Sequence, residues 1–238
     1  TAKKMEAKKI IITGSATRIG AAIATSLASN DVQITLHYNK SNKEVKKLKT
    51  KLEKIGCKIF LIKSDLSKIA QTKRIISYAY KKMKGLDCLI NNASIFEKDD
   101  LFSFNEKSFN NHIDINLKAP AILTKDFKKH LKLKKGNIIN IIDQRIFKLT
   151  PFFFSYTLSK AGLQTLTKTS AMSLAPNIRV NGIAPGPTIK NSRQTERHFK
   201  KQYKSLILED KVNPKNICET VKYFINNDNV TGQIISVD

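Results

Sequence analysis

The sequence is poor in several residue types, and each shortage narrows what the protein can be. It has no tryptophan and only three cysteines in 238 residues. Cys57, Cys88 and Cys218 are far apart, odd in number and without the spacing of metal ligands, so we expect neither a disulfide framework nor a metal site. All three are predicted to pack in a core, which suits a reducing cytoplasm.

Long apolar runs are also missing. No stretch reaches the roughly 20 residues that a membrane-spanning helix needs. The chain begins with a basic stub that passes directly into a short apolar strand, a pattern that predicts no secretory signal peptide. We therefore expect a cytoplasmic protein without a membrane segment.

Acidic residues are scarce: 19 Asp and Glu stand against 43 Lys and Arg, and the formal net charge is +24. Clustered cations often bind nucleic acid. Here the lysines are spread over nearly every polar segment, and no aromatic residues alternate with them as in a surface that stacks bases. We expect a solvated basic surface that attracts anionic small molecules, and no nucleic-acid partner.

What the chain does contain is an alternation of short β-branched runs with longer amphipathic segments. Several runs are almost wholly apolar, as in strands covered by helices on both faces. The pattern predicts one α/β domain over residues 1–238, a doubly wound Rossmann-type fold with a seven-stranded parallel sheet and helices on both faces. The predicted strands are 9–13, 32–38, 57–62, 86–90, 137–142, 178–183 and 233–237.

The end of the first predicted strand carries a glycine turn, Thr13–Gly20. In sheets of this kind, ligands bind outside the carboxyl ends of the strands. Gly14 permits a tight turn, Gly20 lets the next helix pack close to the sheet, and Arg18 and Ile19 lie between them. The free amides at the start of that helix can bind a pyrophosphate. The turn therefore predicts a dinucleotide site.

The end of the second predicted strand lacks an acidic residue. An NAD site places Asp or Glu there to hold the ribose 2′-hydroxyl. This chain has Tyr38, Asn39, Lys40 and Ser41, whose donors could instead neutralise a 2′-phosphate. The missing acid predicts NADPH, and it carries more weight than Lys40 because lysine is common throughout the chain.

Tyr156 and Lys160 are four residues apart, so on a helix they share one face. A free tyrosine has a pKa of about 10, and bringing it near neutrality takes roughly 4 kcal/mol of preferential stabilisation of the phenolate. A neighbouring ammonium supplies much of that. Tyr156 is predicted to be the proton donor, and Lys160 the group that lowers its pKa.

With these motifs the chain resembles the short-chain dehydrogenase/reductase family from Lys9 to Asp238. The residues that carry the resemblance are the glycine turn, Asn91-Asn92-Ala93 after the fourth strand, Asn116, Tyr156 with Lys160, and Pro185-Gly186 after the sixth strand. The resemblance implies that Lys160 also holds the nicotinamide ribose and that Asn116 helps to relay protons through water. It also implies a homotetramer or homodimer.

The family resemblance assigns the remaining cofactor contacts. Pro185, Gly186 and Thr188 match the segment that holds the nicotinamide carboxamide. Asp65 matches a position that contacts adenine, although its place in the segment SDLSK is equally typical of a turn before a helix. The other implied contacts are Gly14, Arg18, Ile19, Gly20, Asn92, Ala93 and Tyr156.

Asp143 departs from the family pattern. Most members carry a serine thirteen residues before the tyrosine, where it binds the substrate carbonyl. A carboxylate there would repel the alkoxide that forms from a ketone. It suits a substrate that presents N–H donors or needs a nitrogen protonated. Aspartate at this position is a feature of the pteridine reductase and dihydromonapterin reductase branch.

Other segments match the same branch: Arg18 in the glycine turn, LHYxxS at 36–41 and NNASxF at 91–96. The resemblance implies that Phe96 sandwiches a flat pterin against the nicotinamide, an arrangement that aromatic faces favour. Packing of its loop against the core is the alternative for Phe96. By the same resemblance Ser94 bonds the pterin edge, and Arg18 contacts both the pyrophosphate and the pterin.

We therefore predict NADPH-dependent transfer of a hydride to a pterin or dihydropterin ring, with Asp143, Tyr156, Lys160 and Asn116 as catalytic residues. The alternative enzyme is a short-chain carbonyl reductase, such as a 3-ketoacyl thioester reductase. A non-catalytic protein that binds NADPH or nucleic acid is a third hypothesis, which the complete set of catalytic side chains opposes. The irregular stretch 184–212, which begins with two prolines and a glycine, is predicted to be a substrate lid.

Overall fold

The computed structural model describes residues 8–132, 134–190 and 195–238 and contains one seven-stranded sheet. The strands are β1 (Lys9–Ile12), β2 (Gln33–Tyr38), β3 (Lys58–Lys63), β4 (Cys88–Asn91), β5 (Gly136–Ile141), β6 (Ile178–Pro185) and β7 (Ile234–Val237). The helices are α1 (Arg18–Leu27), α2 (Asn42–Glu53), α3 (Ile69–Met83), α4 (Glu106–Ile113), α5 (Ala119–Leu131), α6 (Phe154–Leu174), α7 (Glu196–Lys204) and α8 (Pro214–Asn226). A π-helical turn covers Asp114–Lys118, and a 3₁₀ turn covers Gln144–Ile146.

All neighbouring strands are parallel, in the order β3-β2-β1-β4-β5-β6-β7. This is the predicted doubly wound α/β fold, and each predicted strand is confirmed, with most ends displaced by one or two residues. β6 runs on to Pro185 because Ala184 and Pro185 pair with Ser236 and Val237 of β7.

The strands are apolar without alternation because helices cover both faces of the sheet. In β1, Ile10 and Ile12 pack with α1, α2 and α8, whereas Ile11 points to the opposite face and packs with α3 and α5. All three side chains are fully buried. Burial of one such side chain stabilises the fold by about 1.5–3 kcal/mol, so every position of the strand favours an apolar residue.

The order of the strands reverses between β1 and β4. From β1 the chain builds outward to β2 and β3, and it then crosses back so that β4 pairs with the other edge of β1. A crevice opens outside the carboxyl ends of the strands at such a point. Thr13, which follows β1, and Asn92, which follows β4, are hydrogen-bonded there.

The predicted lid, 184–212, is not irregular throughout, which corrects the prediction. Its first two residues belong to β6, and α7 lies within it. The helix forms because Thr195 caps it by accepting from the His198 amide at 3.2 Å, and Glu196 lies in its first turn, where a negative charge is favourable. Residues 191–194 lie outside the described residues.

The three cysteines are free thiols and are buried, as predicted. Burial raises the pKa of Cys57 to about 11. In the three described ranges, no helix combines the length and the apolar character that crossing a membrane requires.

Candidate active site

A cleft of about 600 Å³ opens at the carboxyl ends of the central strands. It brings together most of the predicted site residues, namely Gly14, Arg18, Ile19, Gly20, Asn39, Asn92, Ala93, Ser94, Phe96, Asp143, Tyr156, Lys160, Pro185, Gly186 and Thr188. The predicted residues that do not line it are Tyr38, Lys40, Ser41, Asp65 and Asn116.

The glycine turn leaves no room for side chains. Gly14 has a φ of +60°, and a Cβ added to it would lie 2.7 Å from the Ala93 Cα. A Cβ added to Gly20 would lie 2.3 Å from the Gly14 carbonyl oxygen. Asn92 closes the turn, because its Nδ2 donates to the carbonyl oxygens of Thr13 at 2.9 Å and Gly14 at 3.0 Å. The structure thus gives Asn92 a role in shaping the turn.

Helix α1 begins at the wall of the cleft without a side-chain cap. The N-cap residue, Thr17, makes no capping hydrogen bond, so the first amides of the helix lack a side-chain acceptor. Arg18 has a φ of 54°. Its guanidinium donates to the carbonyl oxygens of Ile189 at 2.7 Å and Lys190 at 3.1 Å, which ties the glycine turn to the segment after β6.

Tyr38 and Lys40 at the end of β2, and Asp65 after β3, lie outside the lining of the cleft. The Tyr38 hydroxyl donates to Asn42 Oδ1 at 3.1 Å, and Lys40 is exposed. Asp65 Oδ1 accepts from the amide and the hydroxyl of Ser67, at 3.0 and 2.8 Å. This carboxylate therefore forms the turn before α3, which is the alternative that its sequence context allows. Contacts of these residues with a cofactor stay predictions.

Tyr156 and Asp143 are directly bonded. The Tyr156 hydroxyl donates to Asp143 Oδ2 at 2.7 Å, and only 5% of the tyrosine is exposed. Asp143 Oδ1 accepts from the Arg145 amide at 2.8 Å, which starts the 3₁₀ turn and fixes the carboxylate. The two residues come from the end of β5 and the first turn of α6.

The pKa of Tyr156 is raised well above its ordinary value, contrary to the lowering that the sequence led us to expect. Burial is the largest cause, and the negative charge and hydrogen bond of Asp143 add to it. Lys160 does not offset them, because its ammonium donates to the Ile141 carbonyl oxygen at 2.9 Å and lies 5.7 Å from the centre of the tyrosine ring. At neutral pH the phenol is therefore protonated, as a proton donor must be.

Burial also acts on Lys160, whose side chain is among the largest that are fully enclosed. It lowers the pKa of the ammonium to about 8, and Asp143 partly opposes this effect. Near neutral pH the site therefore holds an ammonium and a neutral phenol beside the Asp143 side chain.

Asn116 is fully buried in the π-helical turn between α4 and α5. Its Nδ2 donates to the Ile95 carbonyl oxygen and the Ser159 hydroxyl, both at 3.0 Å. Its Oδ1 accepts from the Ile95 amide at 2.9 Å and the Ser94 hydroxyl at 3.2 Å. All its side-chain hydrogen-bonding positions are filled, so it fixes the segment after β4 against α6. Its part in a proton relay stays a prediction.

Comparison with known proteins agrees with this geometry. Residues 8–201 match the model of the short chain dehydrogenase family. The chain belongs to the short-chain dehydrogenase family. Human dehydrogenase/reductase SDR family member 4 is 32% identical over 182 residues, which are 75% of this chain and 65% of that protein.

Solved structures of the same fold include two FolM alternative dihydrofolate reductases, both crystallised with NADP. The protein from Brucella canis is 36% identical, with 100% of this chain and 95% of that chain covered and a TM-score of 0.93. The protein from Brucella suis is 37% identical, with 97% and 93% covered and a TM-score of 0.93. This chain is thus an oxidoreductase of the short-chain dehydrogenase family.

His37 is buried beneath the glycine turn, and this structural role was not predicted from the sequence. Its Nδ1 accepts from the Gly14 amide at 3.1 Å, so Nε2 carries the proton that it donates to the Ser64 carbonyl oxygen at 3.0 Å. Burial lowers the pKa of the ring to about 4, and His37 is neutral at pH 7. It joins the ends of β1, β2 and β3. The only signal was its place in the LHYxxS segment.

Several aromatic residues cluster beside Tyr156, and of these only Phe96 was predicted to belong to the site. Phe96 stacks on Phe153 with ring centres 4.3 Å apart and an angle of 8°, and it meets Tyr156 edge to face at 4.6 Å. Phe96 therefore packs against the start of α6 and also lines the cleft, with 36% of it exposed. Phe153 and the adjacent Arg145 guanidinium, 4.5 Å from the Phe153 ring, were not foreseen.

Asp99 holds the start of α6, and it too was missed. This buried carboxylate accepts from the Ser155 amide at 3.2 Å and from the Ser155 hydroxyl. The Asp99 carbonyl oxygen accepts from the Phe153 amide at 2.7 Å, at a residue with a φ of 61°. The arrangement caps the helix that carries Tyr156 and fixes the Phe153 ring against Phe96.

The far wall of the cleft comes from the predicted lid. The Gly186 amide donates to the Val237 carbonyl oxygen at 2.9 Å, and the Thr188 hydroxyl donates to the Gly186 carbonyl oxygen at 2.8 Å. Further along, the wall consists of Phe199, Gln202, Ser205 and Leu206. The lid therefore presents two buried apolar side chains, Phe199 and Leu206, to the cleft.

Proposed function

We propose that this protein is an NADPH-dependent reductase that transfers a hydride to the ring of a pterin or dihydropterin. The observation that carries the proposal is the Asp143 carboxylate, which accepts the Tyr156 hydroxyl at 2.7 Å. A ketone that becomes an alkoxide there would meet a negative charge. The ring N–H and amino groups of a pterin would instead find an acceptor.

The residues present fit NADPH. The uncapped start of α1 offers amides to a pyrophosphate, with Gly14, Arg18, Ile19 and Gly20 shaping the turn. No acidic residue follows β2, where Asn39, Lys40 and Ser41 would hold the 2′-phosphate. Asp65 would contact the adenine, and Pro185, Gly186 and Thr188 the carboxamide. When bound, NADPH supplies the hydride. The FolM proteins that resemble this chain were crystallised with NADP.

The protein's own residues would donate the proton, orient the reacting groups and bind the substrate. Tyr156, whose pKa is raised by burial, keeps its proton and donates it from the hydroxyl oxygen. Asp143 orients that hydroxyl and accepts N–H groups of the substrate. The Lys160 ammonium balances the charge of Asp143 and would also hold the ribose. Phe96 supplies an aromatic surface for the flat ring, and Ser94 a hydroxyl for its edge.

The experiment is steady-state oxidation of NADPH with dihydrobiopterin, dihydromonapterin and dihydrofolate, and with a ketoacyl thioester for comparison. We expect turnover with at least one dihydropterin, lost in Tyr156→Phe. Turnover with the thioester alone would make the protein a carbonyl reductase and remove the pterin assignment. Reduction of no substrate despite tight NADPH binding would favour a non-catalytic protein.

The proposal extends to the cellular form of the protein. We expect a homotetramer or homodimer in the cytoplasm that acts on a small molecule. Light scattering coupled to size exclusion measures the mass directly, and a mass near 26.8 kDa, that of a single chain, would contradict an oligomer.

A further inference from the structure

The guanidinium of Arg145 lies against two aromatic rings, and its charge acts on the nearby Tyr156 hydroxyl. The centre of its guanidinium lies 4.5 Å from the centre of the Phe153 ring and 5.5 Å from that of Phe96. Its side chain is half-buried and lines the cleft. Among residues 8–132, 134–190 and 195–238, no ion pair or hydrogen bond engages the guanidinium, since the bond of Arg145 to Asp143 comes from its backbone amide.

A guanidinium in this state is ready to bind an anion. It is planar and presents N–H donors in a fixed fork that matches both oxygens of a carboxylate. Contact with two aromatic rings restricts its position, so little conformational freedom is left to lose on binding. The stacked pair, Phe96 and Phe153, thus serves as a support that aims the fork into the cleft.

The charges around Arg145 also favour an anionic group. Lys148 follows in the same loop and lines the cleft, with its Nζ 3.4 Å from the Ser205 carbonyl oxygen of the lid. Asp143 is the one acidic residue among the described residues that line the cleft, and its oxygens accept from Tyr156 and the Arg145 amide. The outer cleft therefore carries a positive potential that Asp143 only partly offsets.

The segment 199–206 contributes two apolar side chains to the cleft, whereas this loop contributes two basic ones. Phe199 and Leu206 line the cleft together with Arg145 and Lys148. A substituent that fits both walls combines a flat apolar part with a terminal carboxylate. A short neutral polyol substituent offers neither the apolar area nor the charge.

We propose that Arg145 is a specificity-determining residue that binds a carboxylate on the side chain of the substrate. The inference rests on the proposed function and narrows it: among dihydropterins, the cleft selects those whose side chain is acidic. Dihydrofolate, with its p-aminobenzoylglutamate tail, represents this class, and dihydrobiopterin represents the neutral class. Lys148 strengthens the attraction without the fixed geometry of Arg145.

The first test compares kcat/KM for dihydrofolate and dihydrobiopterin in the wild type and in Arg145→Gln. Loss of a charge-assisted hydrogen bond corresponds to about tenfold to hundredfold, so we expect the dihydrofolate preference to fall by that factor, chiefly through KM. Activity on dihydrobiopterin also falls, because Arg145 neighbours Tyr156, and the ratio is therefore the readout. Arg145→Lys keeps the charge without the fork and should restore part of the preference.

A matched control separates a specific contact from general attraction. Lys98 also lies over a phenylalanine, 5.2 Å from the centre of the Phe152 ring, but it is exposed and does not line the cleft. Lys98→Gln removes the same charge and should leave the ratio unchanged. An equal fall of the ratio in both variants would reduce Arg145 to a contributor to the overall field and overturn the proposal.

The second test needs no turnover. Calorimetry measures the binding of p-aminobenzoylglutamate to the protein saturated with NADP⁺, with circular dichroism to verify that each variant is folded. Binding by the wild type and loss of binding in Arg145→Gln would support the carboxylate site even if no dihydropterin were reduced, in which case the proposed function fails alone. Unchanged binding in a folded Arg145→Gln would overturn the inference and leave the reductase intact.

Discussion

The Tyr156 hydroxyl donates to Asp143 Oδ2 at 2.7 Å, whereas the Lys160 ammonium donates to the backbone at Ile141. The tyrosine that we propose as proton donor therefore faces a carboxylate directly and an ammonium only at a distance. In the proposed reaction we expect it to keep its proton until a substrate nitrogen becomes more basic than the phenolate. This favours a reaction in which protonation follows hydride transfer to the adjacent carbon.

Asp143→Ser should impair turnover far more than cofactor binding. Removal of a group that orients proton transfer typically costs about 100-fold or more in rate, and the hydrogen bonds of the Asp143 side chain run to Tyr156 and the Arg145 amide. We expect kcat for dihydropterin reduction to fall by that factor while the NADPH dissociation constant changes by less than about threefold. The constants come from single-substrate kinetics and fluorescence titration. Parallel losses in both would indicate that Asp143 is structural.

The rate should decline above a pH of about 8. Burial lowers the pKa of Lys160 to about 8, so the ammonium loses its charge as the pH rises through that value. Tyr156, whose pKa is raised, keeps its proton over the same range. A profile of kcat/KM from about pH 6 to about pH 10 should show one alkaline limb, falling about tenfold per pH unit. A flat profile up to about pH 10 would contradict a role for the charged Lys160.

The stability of the fold should depend on His37 at acidic pH. Burial lowers its pKa from 6.5 to about 4 in the folded state, so the unfolded chain binds the proton first. The stability that neutral His37 contributes is complete above about pH 6.5 and is lost as the pH falls toward 4. Relative to His37→Asn, the wild type should lose about 3 kcal/mol over this interval.

Urea unfolding at several pH values measures that difference. His130 offers a matched control, because it is a half-buried helix residue whose ring is hydrogen-bonded within its own helix, at the Asp126 carbonyl oxygen. His130→Asn retains His37 and should keep the loss of stability at acidic pH that the wild type shows. A pH dependence that is the same in wild type and His37→Asn would show that the ring is not held neutral.

Lys40→Asp should weaken the preference for NADPH over NADH. The substitution puts an acid at the end of β2, where it repels a 2′-phosphate and can accept from a 2′-hydroxyl. Loss of one charged contact corresponds to about tenfold to hundredfold in the ratio of kcat/KM values. Lys43→Asp, on the exposed surface of α2, controls for the change in net charge. An equal effect of both substitutions would place the 2′-phosphate elsewhere.

The fold could be predicted because the pattern of apolar residues that indicates each strand or helix lies within a short segment of the sequence. Strands such as β1, buried on both faces, have to be apolar at every position, and the helices between them have to be amphipathic. The same holds for motifs whose spacing is fixed by one element: Tyr156 and Lys160 share a helix, and the glycine turn follows β1. The position of Asp143 at the end of β5 could likewise be predicted from the sequence.

The rest depends on contacts between segments that are distant in sequence. The direction of the Tyr156 pKa could not be predicted, because it depends on which of Asp143 and Lys160 reaches the hydroxyl. Asp99 and Ser155 are 56 residues apart, and neither belongs to a recognisable pattern. Phe153, on which Phe96 stacks, has a positive φ, a conformation that is uncommon for a residue other than glycine and that propensities do not predict.

The order of the strands separates the two residues to which we assign the choice of nucleotide and the choice of substrate ring. Lys40 follows β2 and Asp143 follows β5, with β1 and β4 between them. At about 4.8 Å between neighbouring strands, the two positions are roughly 14 Å apart, beyond the distance at which substitutions usually influence each other. If these residues have the roles proposed above, nucleotide preference and ring preference belong to separate halves of the sheet, and we expect each to change by mutation while the other is conserved.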